Sequence, residues 1–306
     1  MASIRQAMAM GVVAILSACG APSSDSKAVA AEQGKPAAFV YAPTLDKPYS
    51  ETNRRFEEMT IPGSPVREAE EWTLEWQVVV TKETNLFKRS LRLVGLKINV
   101  NGVELLRGDE VKAKMATVDV LTDKDSNVVD VRGADQLSEA IVALGEEKSR
   151  PALANTFSPT RLKALAVVRS QELHLDFIGR PTPVGSQWIA TDPSSKATRQ
   201  IKVAGEEPCG EKRCLHVTRQ YDIDGQVVFG EVSSRVAAYV QAQGGDPTKV
   251  ALAGVNLKLE DSLLIDPVTM EYHGARFNQD ATLRVTAPSG EIPIVFKVRR
   301  EVDYKY

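Results

Sequence analysis

The sequence predicts an α+β protein dominated by β-structure, with long curved antiparallel sheet(s) and a few amphipathic helices packed on one face. Three observations point there. Apolar and polar residues alternate over Trp72–Val80 and again over Ile292–Tyr306, the period-2 signature of strands with one buried face. Leu86–Val100 and Ile292–Tyr306 each run to about fifteen residues where strands of about five or six are usual, and strands that long must twist and curl. Helical periodicity, by contrast, is confined to a few short stretches.

Taken in order, the chain opens with an uncharged run, Ala7–Ala18, preceded by Arg5, which matches the basic and apolar regions of a secretory signal. A membrane-spanning helix needs about 20 apolar residues, so this run is too short to span. It closes in Leu16-Ser17-Ala18-Cys19, which resembles the lipobox of bacterial lipoproteins. The resemblance implies that residues 1–18 are removed, that the Cys19 thiol receives a diacylglyceryl group and that the new amine of Cys19 is acylated. Several acyl chains give a durable anchor where one gives a marginal one. The expected partner is therefore a lipid bilayer, engaged through acyl chains on Cys19 and not spanned. Gly20 follows where an aspartate would favour the inner membrane, so the same resemblance implies the outer membrane, on its periplasmic side. Residues 19–36, with Ser23, Ser24, Asp25, Ser26, Lys27 and Gly34, are too small and polar to bury a core and read as a tether.

A first β-rich half is expected over residues 37–150. Trp72, Leu74, Trp76, Val78 and Val80 share one strand face, answered by Phe87, Leu91 and Leu93. Past Gly95 the apolar phase slips to Leu96, Ile98 and Val100, as a bulge at that glycine would produce. Asn101-Gly102 is a strong hairpin signal. Strands are expected over about Val111–Leu121 and Asn127–Arg132, joined at Asp123-Lys124-Asp125-Ser126. That junction has the odd-position acids of a calcium loop, but Val128 stands at the required glycine and Ala134 at the bidentate glutamate, so a plain turn is read. Leu137, Ala140, Ile141 and Leu144 predict a helix between Asp135 as cap and Gly145 as stop.

The charged break Glu146–Pro151 is the expected boundary to a second β-rich half, residues 151–306, which could equally continue the same domain. Ser158-Pro159 opens a helix through about Arg169. Gly179–Gly185 is a loop, and strands flank a tip at Glu206–Arg213 that carries Cys209 and Cys214. Val232, Val236, Tyr239 and Val240 fit a helix ended by Gly244-Gly245, although the three valines also fit a strand; the helix is preferred. Val255–Ile265 leads into the Asp266-Pro267-Val268-Thr269 turn, and the strand at Leu283 and Val285 turns at Pro288-Ser289-Gly290. The last strand alternates cleanly except at Arg300.

Function is less legible. The formal net charge of −2 offers no basic face for counterion release, so no nucleic acid is expected as a partner. The one basic stretch, Lys88, Arg89, Arg92, Lys97, Arg107, Lys112 and Lys114, reads as the solvated face of a sheet. Cys209, Cys214 and His216 could supply zinc ligands, but export favours a Cys209–Cys214 disulfide. No metal, cofactor or catalytic motif is expected, and the chain is not read as an enzyme. Long strands with few helices, and Leu263-Leu264-Ile265-Asp266-Pro267-x-Thr269, are similar to half-barrel carriers that move lipids or lipoproteins across the periplasm. Two expectations follow: a structural or assembly module of the cell envelope with a protein partner, or a carrier of an apolar ligand such as a lipid. The carrier would hold its ligand against Trp72, Leu74, Trp76, Leu91 and Leu93.

Overall fold

A computed structural model describes residues 38–63, 67–107, 117–147, 150–174, 176–191, 197–288 and 290–306. The signal-like run, Cys19 and the tether lie outside these residues. The described residues form twelve strands: β1 (Tyr49–Thr60), β2 (Arg67–Glu83), β3 (Leu86–Val100), β4 (Val103–Arg107), β5 (Thr117–Thr122), β6 (Val128–Arg132), β7 (Gln187–Thr191), β8 (Thr198–Cys209), β9 (Lys212–Asp222), β10 (Ala251–Ile265), β11 (Tyr272–Ala287) and β12 (Gly290–Lys305). Among the described residues four α-helices accompany them: α1 (Ala134–Leu144), α2 (Arg150–Thr156), α3 (Pro159–His174) and α4 (Gly225–Ala242).

All twelve strands form one sheet in the order β6-β5-β3-β2-β1-β12-β11-β10-β9-β8-β7, with β4 added on β3. Every pairing is antiparallel. The expected long β-dominated sheet is therefore what the chain forms. Its first and last strands meet at the centre: β1 pairs with β12 from Ser50↔Lys305 to Thr60↔Val295, so both halves share one hydrogen-bonded surface.

The predicted slip at Gly95 is a register shift. Glu75 faces Gly95 while Trp76 faces Leu93, leaving Val94 as the extra residue. A Cβ at Gly95 would come within 2.8 Å of the Glu75 side chain, so the bulge also admits a close cross-strand approach. Asn101 and Gly102 have φ of 52° and 78°, both positive as a two-residue hairpin turn requires.

The helices cover one face of the sheet, hereafter the inner face, in two places. Leu137 and Ile141 of α1, Leu153 of α2 and Phe157 pack on Val78, Leu91, Leu93, Leu96, Ile98, Val118 and Val120. Val228, Val232, Val236 and Val240 of α4 pack on Met59, Leu283, Ile294, Phe296 and their neighbours, which confirms the helix at those valines. A third core at the other wing is covered by no helix among the described residues and is closed by Phe39, Phe177, Trp188 and Met270 over β8–β12.

The strand expected over Val111–Leu121 is described from Thr117 on, and residues 108–116 lie outside the described set. Two expectations are corrected. Gly133, not Asp135, caps α1, with φ of 82° and a position where a Cβ would fall 2.1 Å from the Thr117 carbonyl oxygen. Arg89 is not on a solvated face: it points inward and pairs with buried Glu51.

Candidate functional site

The inner face is where a carrier would hold its apolar ligand. Leu91 and Leu93 are buried in the first core, and Trp72, Leu74 and Trp76 are half-buried against it. The Trp72 ring lies 5.5 Å from that of Phe157, and its indole N–H donates to Glu70 at 3.3 Å. These five residues belong to one core, whose other members come from the protein's own α1, α2 and Phe157. The indole nitrogen of Trp76 is buried with no hydrogen-bond partner among the described residues.

What sequence reading missed is a set of ionic centres on this same face. In the first, buried Glu51 of β1 accepts from Arg89 of β3 at 3.2 Å. Around this pair stand Tyr41, Tyr49, Tyr272, Tyr304 and Tyr306, lining a cavity of about 30 Å³, room for about one water. Burial pushes the Tyr41 hydroxyl up to about 12, against the opposing pull of Arg89. Burial likewise raises Tyr272 and Tyr306.

In the second centre, Arg235 of α4 reaches down to buried Glu57 of β1, which also accepts from Arg55 at 2.9 Å. This pair fastens α4 to the central strand. Glu70 beside it is pushed up by burial, with Arg235 opposing.

The third centre lies under the helix-free wing. Arg219 donates to both oxygens of Asp261 and to Asp176 at 3.1 Å, Arg199 pairs with Asp176 at 3.3 Å, and the Tyr221 hydroxyl donates to Asp261 at 2.7 Å. The Arg219 guanidinium also sits 5.8 Å from the Phe177 ring centre and 5.7 Å from that of Tyr221. In each centre a carboxylate is held by a guanidinium through charge-assisted hydrogen bonds.

At the β8–β9 tip, Cys209 and Cys214 are joined as a disulfide with Cα atoms 5.7 Å apart, as the sequence predicts. His216 turns away from it, to Glu207 and Ser262, both at 2.8 Å. His273 instead stands beside the bridge, its Nε2 buried and without a hydrogen-bond partner among the described residues. With both sulfurs in the bridge, the zinc reading has no thiolates to use. The opposite, outer face of the sheet carries a groove of about 320 Å³ between β2, β1, β12 and β11, lined by Arg54, Arg55, Phe56, Glu71, Arg276, Asn278, Arg299, Arg300 and Glu301. Three of these arginines pair with carboxylates on that face, Arg54 with Asp303 at 2.6 Å, Arg276 with Glu301 at 3.3 Å and Arg299 with Asp280 at 2.6 Å, whereas Arg55 and Arg300 make their side-chain hydrogen bonds on the inner face, to Glu57 and Asn53.

The fold and these centres define a class: a single large open antiparallel sheet with helices on one face and buried arginine–carboxylate pairs. No family model matches the chain, and no curated protein matches its sequence. Among solved structures it is similar to DynF from the dynemicin biosynthesis pathway of Micromonospora chersina, at 9% identity and TM-score 0.21, covering 93% of this chain and 92% of that one. A DUF1329 family protein from Desulfovibrio piger is similar at 9% identity and TM-score 0.15, over 85% of each chain. Pseudomonas aeruginosa OccK5 is similar at 7% identity and TM-score 0.23, over 87% of this chain and 100% of that one. TM-scores of this size are too low to equate the folds. Among the described residues no helix is long and apolar enough to cross a membrane.

Proposed function

We propose that the chain is a lipid-anchored scaffold or assembly module of the bacterial cell envelope, presenting one rigid sheet to a protein partner. The observation that carries this reading is the filling of the inner face by the protein's own parts. Trp72, Leu74, Trp76, Leu91 and Leu93, the residues a carrier would offer an apolar ligand, pack on α1, α2 and Phe157. A sheet so filled is a platform. Its two ends are the short strands β6 and β7, which expose Val129 and Ile189 at 59% and 63%. Such edges are where another chain adds a strand.

The envelope location is supported by the lipobox-like Leu16–Cys19 and by the Cys209–Cys214 bridge, a bond kept in oxidising compartments. The test is photo-crosslinking in intact cells from residues introduced at Val129, at Ile189 and, as a control, on the outer side of α4. A discrete protein adduct from one edge and none from α4 is the expected result. No protein adduct from either edge, together with a co-purifying apolar lipid that a fluorophore displaces, would favour the carrier instead.

A further inference from the structure

One row of the inner face sets two like charges side by side, and among the described residues only one of them has a carboxylate. Arg55 of β1 and Arg300 of β12 are direct cross-strand partners. Both follow the inward alternation of their strands: Arg55 lies between buried Glu51 and buried Glu57, and Arg300 between buried Val298 and buried Val302. Like charges directly opposite on one face are destabilising. Arg55 is answered by Glu57, whose second oxygen is taken by Arg235. Arg300 has no carboxylate among the described residues; its Nε donates to Asn53 at 3.2 Å, and the rest of the fork is left for another acceptor.

The neighbours in the same row are aromatic. Trp72 pairs with Arg55 on one side and Phe277 with Arg300 on the other, so the row reads Trp72, Arg55, Arg300, Phe277 across β2, β1, β12 and β11. At about 4.8 Å per strand the two rings stand roughly 14 Å apart with both cations between them. All four side chains are partly exposed; Trp72 also packs on the first core, its ring 5.5 Å from that of Phe157, and Phe277 on the second, its ring 6.2 Å from that of Tyr221.

We infer that Arg55 and Arg300 form the head-group site of an amphipathic anion, a single-chain carboxylate or phosphate whose oxyanion bridges the two guanidiniums while its apolar body lies on a flanking ring. An oxyanion offers the planar acceptor pair that a guanidinium fork recognises, and it removes the repulsion across the strand pair. This inference does not rest on the scaffold reading, since a platform with or without a protein partner can carry such a site.

The experiment is titration calorimetry and thermal melting of the full chain with dodecyl phosphate, laurate, inorganic phosphate and the neutral amphiphile dodecyl maltoside, each below its micellar concentration. Dodecyl phosphate or laurate is expected to bind and raise the melting temperature, more weakly as salt rises. Phosphate and maltoside should each bind at least about tenfold more weakly, because each supplies half of what the site recognises. Whichever of the two anionic amphiphiles binds more tightly identifies the head group. Arg300→Gln should lose at least about tenfold in that affinity while its ligand-free form melts no lower than wild type, an outcome that a merely structural arginine would not give. If Arg300→Gln does not fold, Arg300→Lys, which keeps the charge without the fork, takes its place and should lose affinity in the same direction. The inference is overturned if neither anionic amphiphile binds, if inorganic phosphate or maltoside binds as tightly as they do, or if the Arg300 variant that folds binds unchanged.

Discussion

Arg219 and Asp261 face each other across the β9–β10 pair, and the guanidinium grips the carboxylate from the side: Nε is 2.9 and 3.0 Å from its two oxygens and Nη2 is 2.6 Å from Oδ2. Both side chains are about 5% exposed. Removing one partner leaves an unmatched charge inside the protein. Asp261→Ala is expected to cost about 3–5 kcal/mol in urea unfolding, whereas the double replacement Arg219→Met, Asp261→Leu should cost much less than the sum of its single changes. Additive losses would show that the pair is not coupled.

A pH dependence follows from Asp266 in the β10–β11 turn. Burial pushes its carboxyl up, but the Lys212 ammonium at 2.7 Å and the backbone N–H groups of Val268 and Thr269 outweigh burial and hold it below the ordinary range. An acid depressed in the folded state stabilises the fold above its unfolded value, about 3.9, and that stability is lost as pH falls through the folded value. Asp266→Asn should therefore lower stability at neutral pH, and the gap from wild type should close in acid. A gap that stays constant down to pH 2 would contradict this origin.

The Cys209–Cys214 bridge closes a very short loop, so the chain-entropy account gives it only about 2 kcal/mol. Reduction should lower the melting temperature modestly and leave the strand signature in circular dichroism intact. Complete unfolding on reduction would mean that the bridge holds the β8–β9 hairpin together.

Lipidation at Cys19 is tested by labelled palmitate in growing cells. The label is expected to enter wild type and not Cys19→Ala. Equal labelling of both would remove the anchor from the account.

The parts of this structure that can be read from sequence are those in which side-chain pattern and local geometry agree. Trp72–Val80 and Ile292–Tyr304 alternate because one face is apolar, Gly95 marks its own bulge, and Asn101-Gly102 supplies the positive φ angles of a hairpin. The central strand β1 was unreadable for the opposite reason. Its inward residues include Glu51, Asn53, Arg55 and Glu57, so no apolar stripe announces it, and its carboxylates Glu51 and Glu57 are met by Arg89 and Arg235 from distant parts of the chain. Arg89 was misplaced for the same cause: a basic residue among Lys88 and Arg92 looks solvated until Glu51 is brought beside it. The five apolar residues offered to a ligand do cluster, but a pattern of inward side chains does not say whether a helix or a ligand fills the space above them.

Because β1 joins β2 to β12, the scaffold reading requires residues 37–150 and 151–306 to behave as one rigid body. The three tryptophans report on both sides of that seam, Trp72 and Trp76 in the first half and Trp188 in the second. Urea unfolding should be followed by fluorescence in two variants, Trp188→Phe and the pair Trp72→Phe, Trp76→Phe, and referred to the far-ultraviolet signal of each. If the sheet is one cooperative unit, fluorescence and secondary structure are lost at one midpoint in each variant, whichever half carries the probe. Two separated transitions, with one half losing its tryptophan signal while the other keeps it, would contradict the account.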